Sequence, residues 1–495
     1  MTNWKQAAAA VKWNVQPFIG ARYRPSKANE SFDNVNPASE NILCHVAVGS
    51  AADVDEAVRV ARERFNDGCW SEMAPSKRAA VLATLADLIV RHKDEIALLD
   101  CLEMGKPICA ALVDAERSAP HVLRSYAGVA DQLLGSSAPL ETGMLMLNTY
   151  EPRGVVGAIT PWNFPAVCAI RKLGPALAAG NTMVLKPSEL SPSSALKLAE
   201  LALEAGVPEG VLNVLPGLGS TVGAALALHP DVDLLSFTGS TATGRKIMEM
   251  AGRSNGKPVL LECGGKSPEL VFDDVDDLDA VAASVVRNIL WNQGQVCGAQ
   301  TRLIVHESRR ASLLGKVVDL ARQCEPGEPL DERTTFGPLA SSAQRDRVKS
   351  YIEQGLRDGA HAALRGKIQA SGGCYVAPTI FDQVQPSMSI VQEEIFGPVL
   401  CVQDFRTESE ALSLANGTTY GLGATVWTRD MGRGRRIAHA IRAGAVFVRT
   451  SGKEGPDCGT LLSYEPQKAS GFGAEVGLRG LQSYSTLKMI AYKGA

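Results

Sequence analysis

The stretch from Val155 to Glu262 alternates short apolar runs with segments of helical periodicity, and this alternation constrains the fold more than any other feature of the chain. The apolar runs predict buried strands, and the periodic segments between them predict helices. Because such alternation requires right-handed crossovers, the sequence predicts a parallel, doubly wound sheet. The predicted elements are Val155–Thr160, Ala166–Ala179, Thr182–Lys186, Ser193–Ala205, Val211–Leu215, Leu234–Phe237, Thr241–Ala251 and Pro258–Glu262.

Similar patterns outside this stretch predict further helices and a second α/β domain. Ser50 opens a capping-box-like helix start. A second helix is expected from about Ser76 to Cys101, ending near Gly105. After Glu262 the alternation resumes with different spacing, which indicates the second domain. Its predicted elements include Val281–Trp291, Leu303–His306, Arg309–Cys324 and a helix near Ala343–Gly355.

Size, charge and cysteine usage limit the possible functions. A chain of 495 residues with 45% apolar content is long enough for two or three domains. The net charge of −3 gives no electrostatic reason to expect a nucleic acid or an anionic membrane as partner. The 11 cysteines are scattered without C-x-x-C pairs, and the histidines form no ligand pattern. We therefore expect a cytoplasmic protein without a bound metal that acts on small molecules.

Cys297 is the candidate nucleophile. It lies in the stretch Asn292 to Arg302, where Gly294 and Gly298 leave room for other molecules to approach. Most cysteines are buried small apolar residues, and that interpretation suits the other ten. A thiolate between glycines and amide side chains is instead suited to attack on a carbonyl.

A covalent adduct on Cys297 would need two further groups, and each candidate has a structural alternative. The side-chain amide of Asn163 could donate to an oxyanion together with the Cys297 N–H, or Asn163 could cap the helix that begins near Phe164. Glu262, before two glycines, could act as a general base on water, or could bind a backbone amide of the Gly-Gly turn.

Other residues suit a dinucleotide. The run Phe237 to Gly244 passes from a strand through a glycine turn into a helix, where a pyrophosphate could bind the helix N-terminus. The G-x-G-x-x-G fingerprint is absent, and Gly217 to Gly223 comes near it but is one residue too long. Glu189, close after Lys186, could accept from both ribose hydroxyls, which favours NAD over NADP.

Taken together, these stretches resemble the aldehyde dehydrogenase superfamily, specifically its members that do not acylate coenzyme A. The resemblance runs from Asn36 to Glu475 and includes motifs that agree in order and spacing. They are Thr160-Pro-Trp-Asn-Phe-Pro165, Lys186-Pro-Ser-Glu189, Phe237-Thr-Gly-Ser240, Leu261-Glu-Cys-Gly-Gly-Lys266, Gly294-Gln-Val-Cys297 and Glu393-Glu-Ile-Phe-Gly-Pro398.

The resemblance implies an NAD-dependent oxidation of an aldehyde to its acid. Cys297 would attack the aldehyde, Asn163 would hold the oxyanion, and Glu262 would activate the water that hydrolyses the thioester. Lys172 and Glu475 match a proposed proton relay. The implied cofactor-binding residues, with NADP left open, are Thr160, Trp162, Lys186, Glu189, Gly239, Ser240, Glu394 and Phe396.

The resemblance also implies the domain organisation: a Rossmann-like cofactor domain, a second α/β catalytic domain and a small β oligomerisation element. We assign residues 1–127 and 150–261 to NAD binding, 262–473 to catalysis, and 128–149 and 474–495 to oligomerisation. A hairpin around Gln132–Asn148 and a strand over Leu481–Ala491 would form a homodimer or homotetramer.

The substrate is less constrained, because the tunnel residues depart from the family pattern. Arg171 stands where relatives often have Trp, and Arg449 where they often have Asn. The segment around Tyr464, after an apparent insertion of about four residues, differs from the usual tunnel wall. Because arginine binds carboxylates and repels ammonium groups, we expect an anionic semialdehyde, with either arginine in a structural salt bridge as the alternative.

Competing functions remain open. Much of the rest of the chain is closer to the aminoaldehyde dehydrogenases, so an aminoaldehyde or a broad range of aldehydes is the alternative substrate. A coenzyme A-acylating relative would lack Glu262, and a thiol esterase would not need the nucleotide-binding residues. A non-catalytic member would be expected to have lost Cys297, Asn163 or Glu262, and all three are present.

Overall fold

The computed structural model describes residues 3–138, 144–368, 372–451 and 462–493. The strands, in chain order, are β1 (Phe18–Ile19), β2 (Arg22–Tyr23), β3 (Ser31–Val35), β4 (Ile42–Ala47), β5 (Ser136–Ala138), β6 (Met144–Pro152), β7 (Val155–Ile159), β8 (Thr182–Lys186), β9 (Leu212–Val214), β10 (Leu234–Thr238), β11 (Val259–Glu262), β12 (Pro268–Val271), β13 (Arg302–His306), β14 (His361–Arg365), β15 (Thr379–Asp382), β16 (Val399–Phe405), β17 (Tyr420–Gly421), β18 (Gly423–Trp427), β19 (Ala445–Arg449), β20 (Gln467–Lys468), β21 (Gly471–Phe472) and β22 (Ser485–Lys493).

Helices connect most of these strands. In chain order they are α1 (Trp4–Ala9), α2 (Ala51–Asn66), α3 (Pro75–Arg91), α4 (Lys93–Met104), α5 (Ile108–Val113), α6 (Ala119–Val129), α7 (Pro165–Ala179), α8 (Ser193–Glu204), α9 (Ala224–Leu228), α10 (Thr241–Arg253), α11 (Leu278–Leu290), α12 (Glu307–Arg322), α13 (Ser342–Arg357), α14 (Ser389–Gln392), α15 (Glu408–Asn416), α16 (Met431–Ala440) and α17 (Gly477–Ser483). Two short segments, Asp114–Ser118 and Gly219–Gly223, are π-helical.

The first sheet is the predicted doubly wound one. Its strand order is β2-β1-β9-β8-β7-β10-β11-β21. The strands from β9 to β11 pair in parallel, while β1 and β21 add antiparallel edges. Alternate residues of β7 face two different cores: Val155 packs with α2, and Val156 packs with α3, α7 and α8. The sheet is therefore covered by helices on both faces, as the near-continuous apolar strands require.

The second sheet confirms the second α/β domain. Its order is β14-β15-β16-β13-β12-β18-β19, and every pair except β14 with β15 is parallel. Helices α11 and α12 cover one face with an apolar cluster, and α15 and α16 cover the other. The two sheets are joined directly through the short turn from Glu262 to Pro268.

Helix boundaries show where local patterns succeed and fail. Ser50 caps α2 in a complete capping box with Asp53, as expected. The prediction of one helix over residues 76–101 is wrong, since α3 ends at Arg91 and α4 begins at Lys93. His92 breaks the helix by leaving helical backbone geometry at φ −99° and ψ 17°. Gly105 then ends α4 in the left-handed conformation, near the predicted end.

A third, three-stranded sheet has the order β22-β6-β5. The hairpin predicted around residues 132–148 corresponds to β5 and β6, and its residues 139–143 lie outside the described part. The C-terminal strand was predicted to begin too early, because Leu481 to Ser483 form the end of α17 and β22 begins at Ser485. Among the described residues, no helix combines the length and apolar character that crossing a membrane requires.

Candidate active site

The carboxyl ends of two neighbouring strands of the first sheet carry the candidate base and part of the candidate nucleotide site. In the parallel pair β10–β11, Thr238 lies opposite Glu262, and the Gly239 N–H donates to the Glu262 carbonyl oxygen at 3.0 Å. On its other side β11 pairs with β21, where Glu262 lies opposite Gly471. Glu262 thus stands at the edge of a parallel sheet where ligands commonly bind.

The Gly-Gly turn after Glu262 brings three distant segments together. A Cβ atom at Gly265 would lie 2.2 Å from the Cys297 carbonyl oxygen, and one at Gly264 would lie 2.2 Å from a carboxylate oxygen of Glu394. Neither position has room for a side chain. The Gly265 N–H donates to Glu394 Oε1 at 3.0 Å. Glu394, rather than Glu262, therefore binds an amide of the Gly-Gly turn, which leaves the Glu262 carboxylate for another use.

The loop before Cys297 has an unusual backbone. Asn292 and Gln293 both have left-handed geometry, with φ of 50° and 59°, and Gly294 follows at 73°. Non-glycine residues rarely adopt this region, so surrounding contacts must hold them there. Buried Gln295 supplies two such contacts: its Oε1 accepts from Ala340 N at 2.9 Å, and its Nε2 donates to the Asn292 carbonyl at 3.2 Å.

Asn163 is bound to this loop. Its Nδ2 donates to the Gln295 carbonyl at 2.8 Å, and the Asn292 Nδ2 donates to the Asn163 carbonyl at 2.8 Å. The helix α7 begins after Phe164 without a side-chain cap, so Asn163 does not serve as its cap. Because a primary amide has two N–H groups, the bond to Gln295 orients the side chain and leaves one donor available.

Burial shifts the ionisation of both candidate reacting groups. Burial, followed by the nearby Glu475 carboxylate, raises the pKa of Glu262 to about 8, while Lys172 and Arg171 oppose the change. Burial, followed by Glu262, raises the pKa of Cys297 to about 12, and Arg171 opposes it. These mutual electrostatic influences indicate that Arg171, Glu262 and Cys297 lie close together.

A buried network lies beside Glu262. The Lys172 Nζ donates to Glu475 Oε1 at 2.5 Å and to Ser236 Oγ at 2.9 Å. The Ser236 hydroxyl donates to Glu475 Oε1 at 2.6 Å and accepts from the Tyr484 hydroxyl at 2.8 Å. Ser236 is thus the residue on which the donors of Lys172 and Tyr484 converge. Sequence reasoning missed it, although a polar residue inside an apolar strand directly before Phe237 was a usable signal.

The candidate nucleotide-binding residues form a second group at the same sheet edge. The Lys186 Nζ lies 3.0 Å from Glu189 Oε2, and the Lys186 carbonyl accepts from the Thr160 N–H. Ser240 caps α10 by accepting from the Thr243 N–H at 3.2 Å. The α10 N-terminus that follows Gly239 has the geometry suited to an anion.

Two aromatic residues lie near this edge. The rings of Trp162 and Phe396 meet edge to face with centroids 5.3 Å apart.

The carboxylate of Glu394 has a shifted pKa. Burial, the largest effect, raises this pKa to about 7, while the hydrogen bond from Gly265 and the charge of Lys266 lower it. A partly buried carboxylate between these groups is suited to accept from hydroxyl groups.

Arg171 and Tyr464 lie near the reacting groups, and Arg449 does not join them. The Arg171 Nε atom is buried without a hydrogen-bond partner in the described part of the chain. Burial, followed by Glu262, raises the pKa of Tyr464 well above its usual range, and Arg171 lowers it. The Arg449 guanidinium lies 5.3 Å from the centre of the Trp427 ring. The insertion expected before Ser463 lies outside the described residues.

The Trp427 ring that Arg449 contacts is itself bound to a buried carboxylate. The Trp427 Nε1 donates at 2.8 Å to Glu269, a fully buried carboxylate that also accepts from Ser284 and Asn288. Burial raises the pKa of Glu269, while these bonds and the Arg449 charge lower it. These contacts favour a structural role for Arg449, which acts through the Trp427 ring rather than through the salt bridge named as the alternative.

Comparison with known proteins is consistent with this geometry. Residues 23–490 match the model of the aldehyde dehydrogenase family. The chain belongs to the aldehyde dehydrogenase family.

Two curated relatives cover nearly the whole of this aldehyde dehydrogenase. The NADP/NAD-dependent aldehyde dehydrogenase PuuC of Escherichia coli strain K12 is 43% identical over 493 residues, 98% of this chain and 97% of its own. The aminoacetaldehyde dehydrogenase of Pseudomonas aeruginosa is 41% identical over 484 residues, 98% of this chain and 96% of its own.

A solved structure agrees equally well. The crystal structure of an indole-3-acetaldehyde dehydrogenase in complex with NAD+ has a TM-score of 0.96 and 45% identity, and the match covers 99% of each chain. At this identity both the fold and the enzyme class are shared. Within the described part of this aldehyde dehydrogenase, no cluster of His, Cys, Asp and Glu is arranged to hold a metal ion.

Proposed function

We propose that this aldehyde dehydrogenase oxidises an aldehyde to its carboxylic acid with NAD+ through a covalent adduct on Cys297. The observation that supports this most directly is the close approach of Gly265 to the Cys297 carbonyl, because it brings the Cys297 backbone next to the segment that carries Glu262. The Cys297 sulfur attacks the aldehyde carbon and forms a thiohemiacetal. The free N–H of the Asn163 amide and the Cys297 N–H stabilise the developing oxyanion.

The cofactor residues fit a nicotinamide dinucleotide. We assign the adenosine ribose to Lys186 and Glu189, the pyrophosphate to Trp162, Gly239 and Ser240, and the nicotinamide ribose to Glu394. Thr160 and Phe396 line the same edge. When bound, NAD+ supplies a hydride acceptor at nicotinamide C4. The carboxylate of Glu189 favours NAD+, and PuuC, described as NADP/NAD-dependent, leaves use of NADP+ open.

Glu262 completes the reaction by removing a proton from the water that attacks the thioester. Its raised pKa suits a base that must later release this proton near neutral pH. Lys172 and Glu475, joined at 2.5 Å, then carry the proton away from the cavity. Because Glu262 is present to activate water, the product is the free acid rather than a coenzyme A ester.

The test of this proposal replaces the sulfur. Cys297→Ser is expected to abolish NADH formation while NAD+ binding, measured by quenching of tryptophan fluorescence, stays within about twofold. Cys324→Ser, a partly exposed thiol at the end of α12, is the matched control and should keep normal turnover. Normal NADH formation by Cys297→Ser, or oxidation of the aldehyde that needs no NAD+, would refute the assignment.

For the substrate, we propose an aldehyde with an anionic group, such as a dicarboxylic semialdehyde, with Arg171 as its anchor. The supporting observation is the buried Nε of Arg171, which lacks a protein partner among the described residues while its guanidinium lies near Cys297. A buried donor without a partner is costly, and a planar carboxylate would satisfy it. Tyr464 would line the same end of the cavity.

An aminoaldehyde is the second candidate, and the relatives favour it. One of the similar proteins is an aminoacetaldehyde dehydrogenase, 41% identical to this chain. A free ammonium group would, however, be repelled by the guanidinium of Arg171.

The two candidates are separated by Arg171→Ala. Loss of a charge-assisted hydrogen bond of about 1.5–3 kcal/mol should lower kcat/KM for succinic semialdehyde roughly 10- to 150-fold more than for butyraldehyde, which loses only the effect of the Arg171 charge on Glu262 and Cys297. Arg449→Ala is the control and should not discriminate between these substrates. Equal losses for both aldehydes would remove the anionic-substrate proposal, and a gain for γ-aminobutyraldehyde with no loss for the semialdehyde would favour the aminoaldehyde.

We further propose that the protein is a cytoplasmic homodimer or homotetramer. The three-stranded sheet formed by β5, β6 and β22 exposes apolar side chains on both faces, with Leu487 and Met489 on one face and Tyr492 on the other, each more than half exposed. Exposed apolar side chains of this size are typical of a protein–protein interface. Size-exclusion chromatography with light scattering would test it, and a monomeric mass at micromolar concentration would contradict it.

A further inference from the structure

The buried side chain of Lys106 contacts Phe164, the residue that follows Asn163. Lys106 follows the end of α4 and is 1% exposed. Its Nζ donates to Asp114 Oδ2 at 2.5 Å and lies 3.8 Å from the centre of the Phe164 ring. An ammonium group over an aromatic face is attracted to the ring, most strongly when both are removed from water. The position of Phe164 is therefore coupled to the Lys106–Asp114 ion pair.

Phe164 connects the two segments on which the chemistry depends. It directly follows Asn163, and its ring packs against the Trp291 ring with centroids 5.3 Å apart. Trp291 in turn directly precedes Asn292, whose side chain holds the Asn163 carbonyl. One aromatic contact thus joins the Asn163 segment to the strained loop that leads to Cys297.

Phe164 is held by its backbone as well as by its ring: its carbonyl accepts from the Cys168 N–H at 2.8 Å, and the preceding Asn163 carbonyl accepts from Asn292 Nδ2 at 2.8 Å. Phe164 is the N-cap residue of α7, with φ −139° and ψ 71°, and no side chain caps that helix start. The Ala166 N–H reaches only Asp100 Oδ2, at a long 3.5 Å. These bonds hold the backbone at the start of α7, and the contacts of the Phe164 ring with Lys106 and Trp291 add a second constraint on the same segment.

We propose that Lys106 is a positioning residue: through the contact of its ammonium group with the Phe164 ring, it helps to fix the position of the Asn163 amide relative to the Cys297 loop. This inference rests on the proposed roles of Asn163 and Cys297 and applies to any aldehyde. A buried ion pair is often no more stabilising than an apolar pair of the same size, so its use here fits a geometric role. A displacement of about 1 Å at a reacting group can cost on the order of 100-fold in rate.

The test compares variants that remove either side of this contact. Phe164→Leu keeps the ion pair and removes the aromatic face. Lys106→Met with Asp114→Asn removes the ammonium without leaving a buried charge unpaired. Lys93→Met is the matched control, because Lys93 lies on α4 and pairs with the half-exposed Glu116, two residues after Asp114.

Three measurements separate positioning from general stability: the rate constant of the NADH burst, the KM for NAD+, and the rate of Cys297 alkylation by iodoacetamide. We expect the burst rate to fall about tenfold or more in Phe164→Leu and in the double variant, with KM for NAD+ within about twofold and alkylation altered. Lys106→Arg keeps a cation over the ring, so this single variant should retain most of the burst rate of the unsubstituted enzyme. Lys93→Met should match the unsubstituted enzyme.

The outcomes are distinguishable from failure of the proposed reaction. If either folded variant, Phe164→Leu or the double variant, forms NADH with a burst rate within about twofold of that of the unsubstituted enzyme, the positioning role of Lys106 is overturned. If the double variant does not fold, Lys106→Arg and Phe164→Leu decide together: a retained burst in the first with a lowered burst in the second supports the role, and any other combination overturns it. Normal NADH formation by Cys297→Ser would instead overturn the proposed reaction, whereas an inactive Cys297→Ser beside normal Phe164→Leu would remove only the role of Lys106.

Discussion

The ionisation of Glu262 makes a quantitative prediction about the pH dependence of turnover. Burial and the Glu475 carboxylate raise the pKa of Glu262 from 4.5 to about 8. At pH 7 roughly one Glu262 in ten is then the carboxylate that can accept a proton from water. Thioester hydrolysis should therefore rise about tenfold per pH unit below pH 8 and level off above it.

Changing Glu475 tests the electrostatic origin of this shift. Glu475→Gln removes a negative charge that opposes ionisation of Glu262 and leaves Lys172, which favours ionisation. The midpoint of the pH profile should move down by on the order of one pH unit. Lys172→Met should move it up. Glu465→Gln, a surface carboxylate paired with Arg479, is the matched control and should leave the midpoint unchanged.

Pre-steady-state kinetics isolates the step in question. When hydrolysis limits turnover at low pH, NADH appears in a burst of about one equivalent per active site, followed by a slow steady rate. The burst should shrink as pH rises and hydrolysis accelerates. The variants are compared by the pH at which the steady rate is half of its maximal value. The maximal value itself is left out of this comparison, because a substitution in the proton relay changes it as well. A steady rate that is constant between pH 6 and 8.5, or a midpoint that Glu475→Gln leaves in place, would refute the reasoning.

Two further predictions concern close packing around the site. Gly265→Ala should reduce kcat at least about 100-fold, because the added Cβ would lie 2.2 Å from the Cys297 carbonyl oxygen. Circular dichroism should show that the fold is retained, and a near-normal kcat would contradict this contact. Ser236→Ala should lower the free energy of unfolding in urea by about 1–3 kcal/mol, because it leaves buried donors unpaired, whereas Ser125→Ala at an exposed helix position should change it by less than about 0.5 kcal/mol.

Local patterns were sufficient for much of the fold. The predicted strand over residues 182–186 agrees with β8, and the other predicted elements between residues 155 and 262 agree within about two residues, whereas α9 and the π-helical segment before it were not predicted. Strand and helix periods depend on neighbours a few residues away, which the sequence displays directly. The single predicted helix over residues 76–101 failed because its apolar pattern continues through His92, where only the backbone geometry interrupts the helix.

For the candidate site, the sequence predicted the reacting residues but not their partners in space. The motifs were sufficient to nominate Cys297, Glu262 and Asn163, because each stands in a local setting unusual for its residue type. The motifs could not reveal that Asn163 is oriented by Gln295, 132 positions away. They also could not assign Arg449 to the Trp427 ring rather than to a substrate.

Partners separated by hundreds of positions show the same limit. Ser236 and Glu475 meet at 2.6 Å across 239 positions, and Tyr126 donates to the Glu475 carbonyl across 349. Such contacts arise only when strands and helices pack, since their geometry depends on the register of whole elements rather than on any short stretch. Residue type and local period therefore predict which groups have the chemistry, while long-range packing sets which of them share a cavity and with what charge.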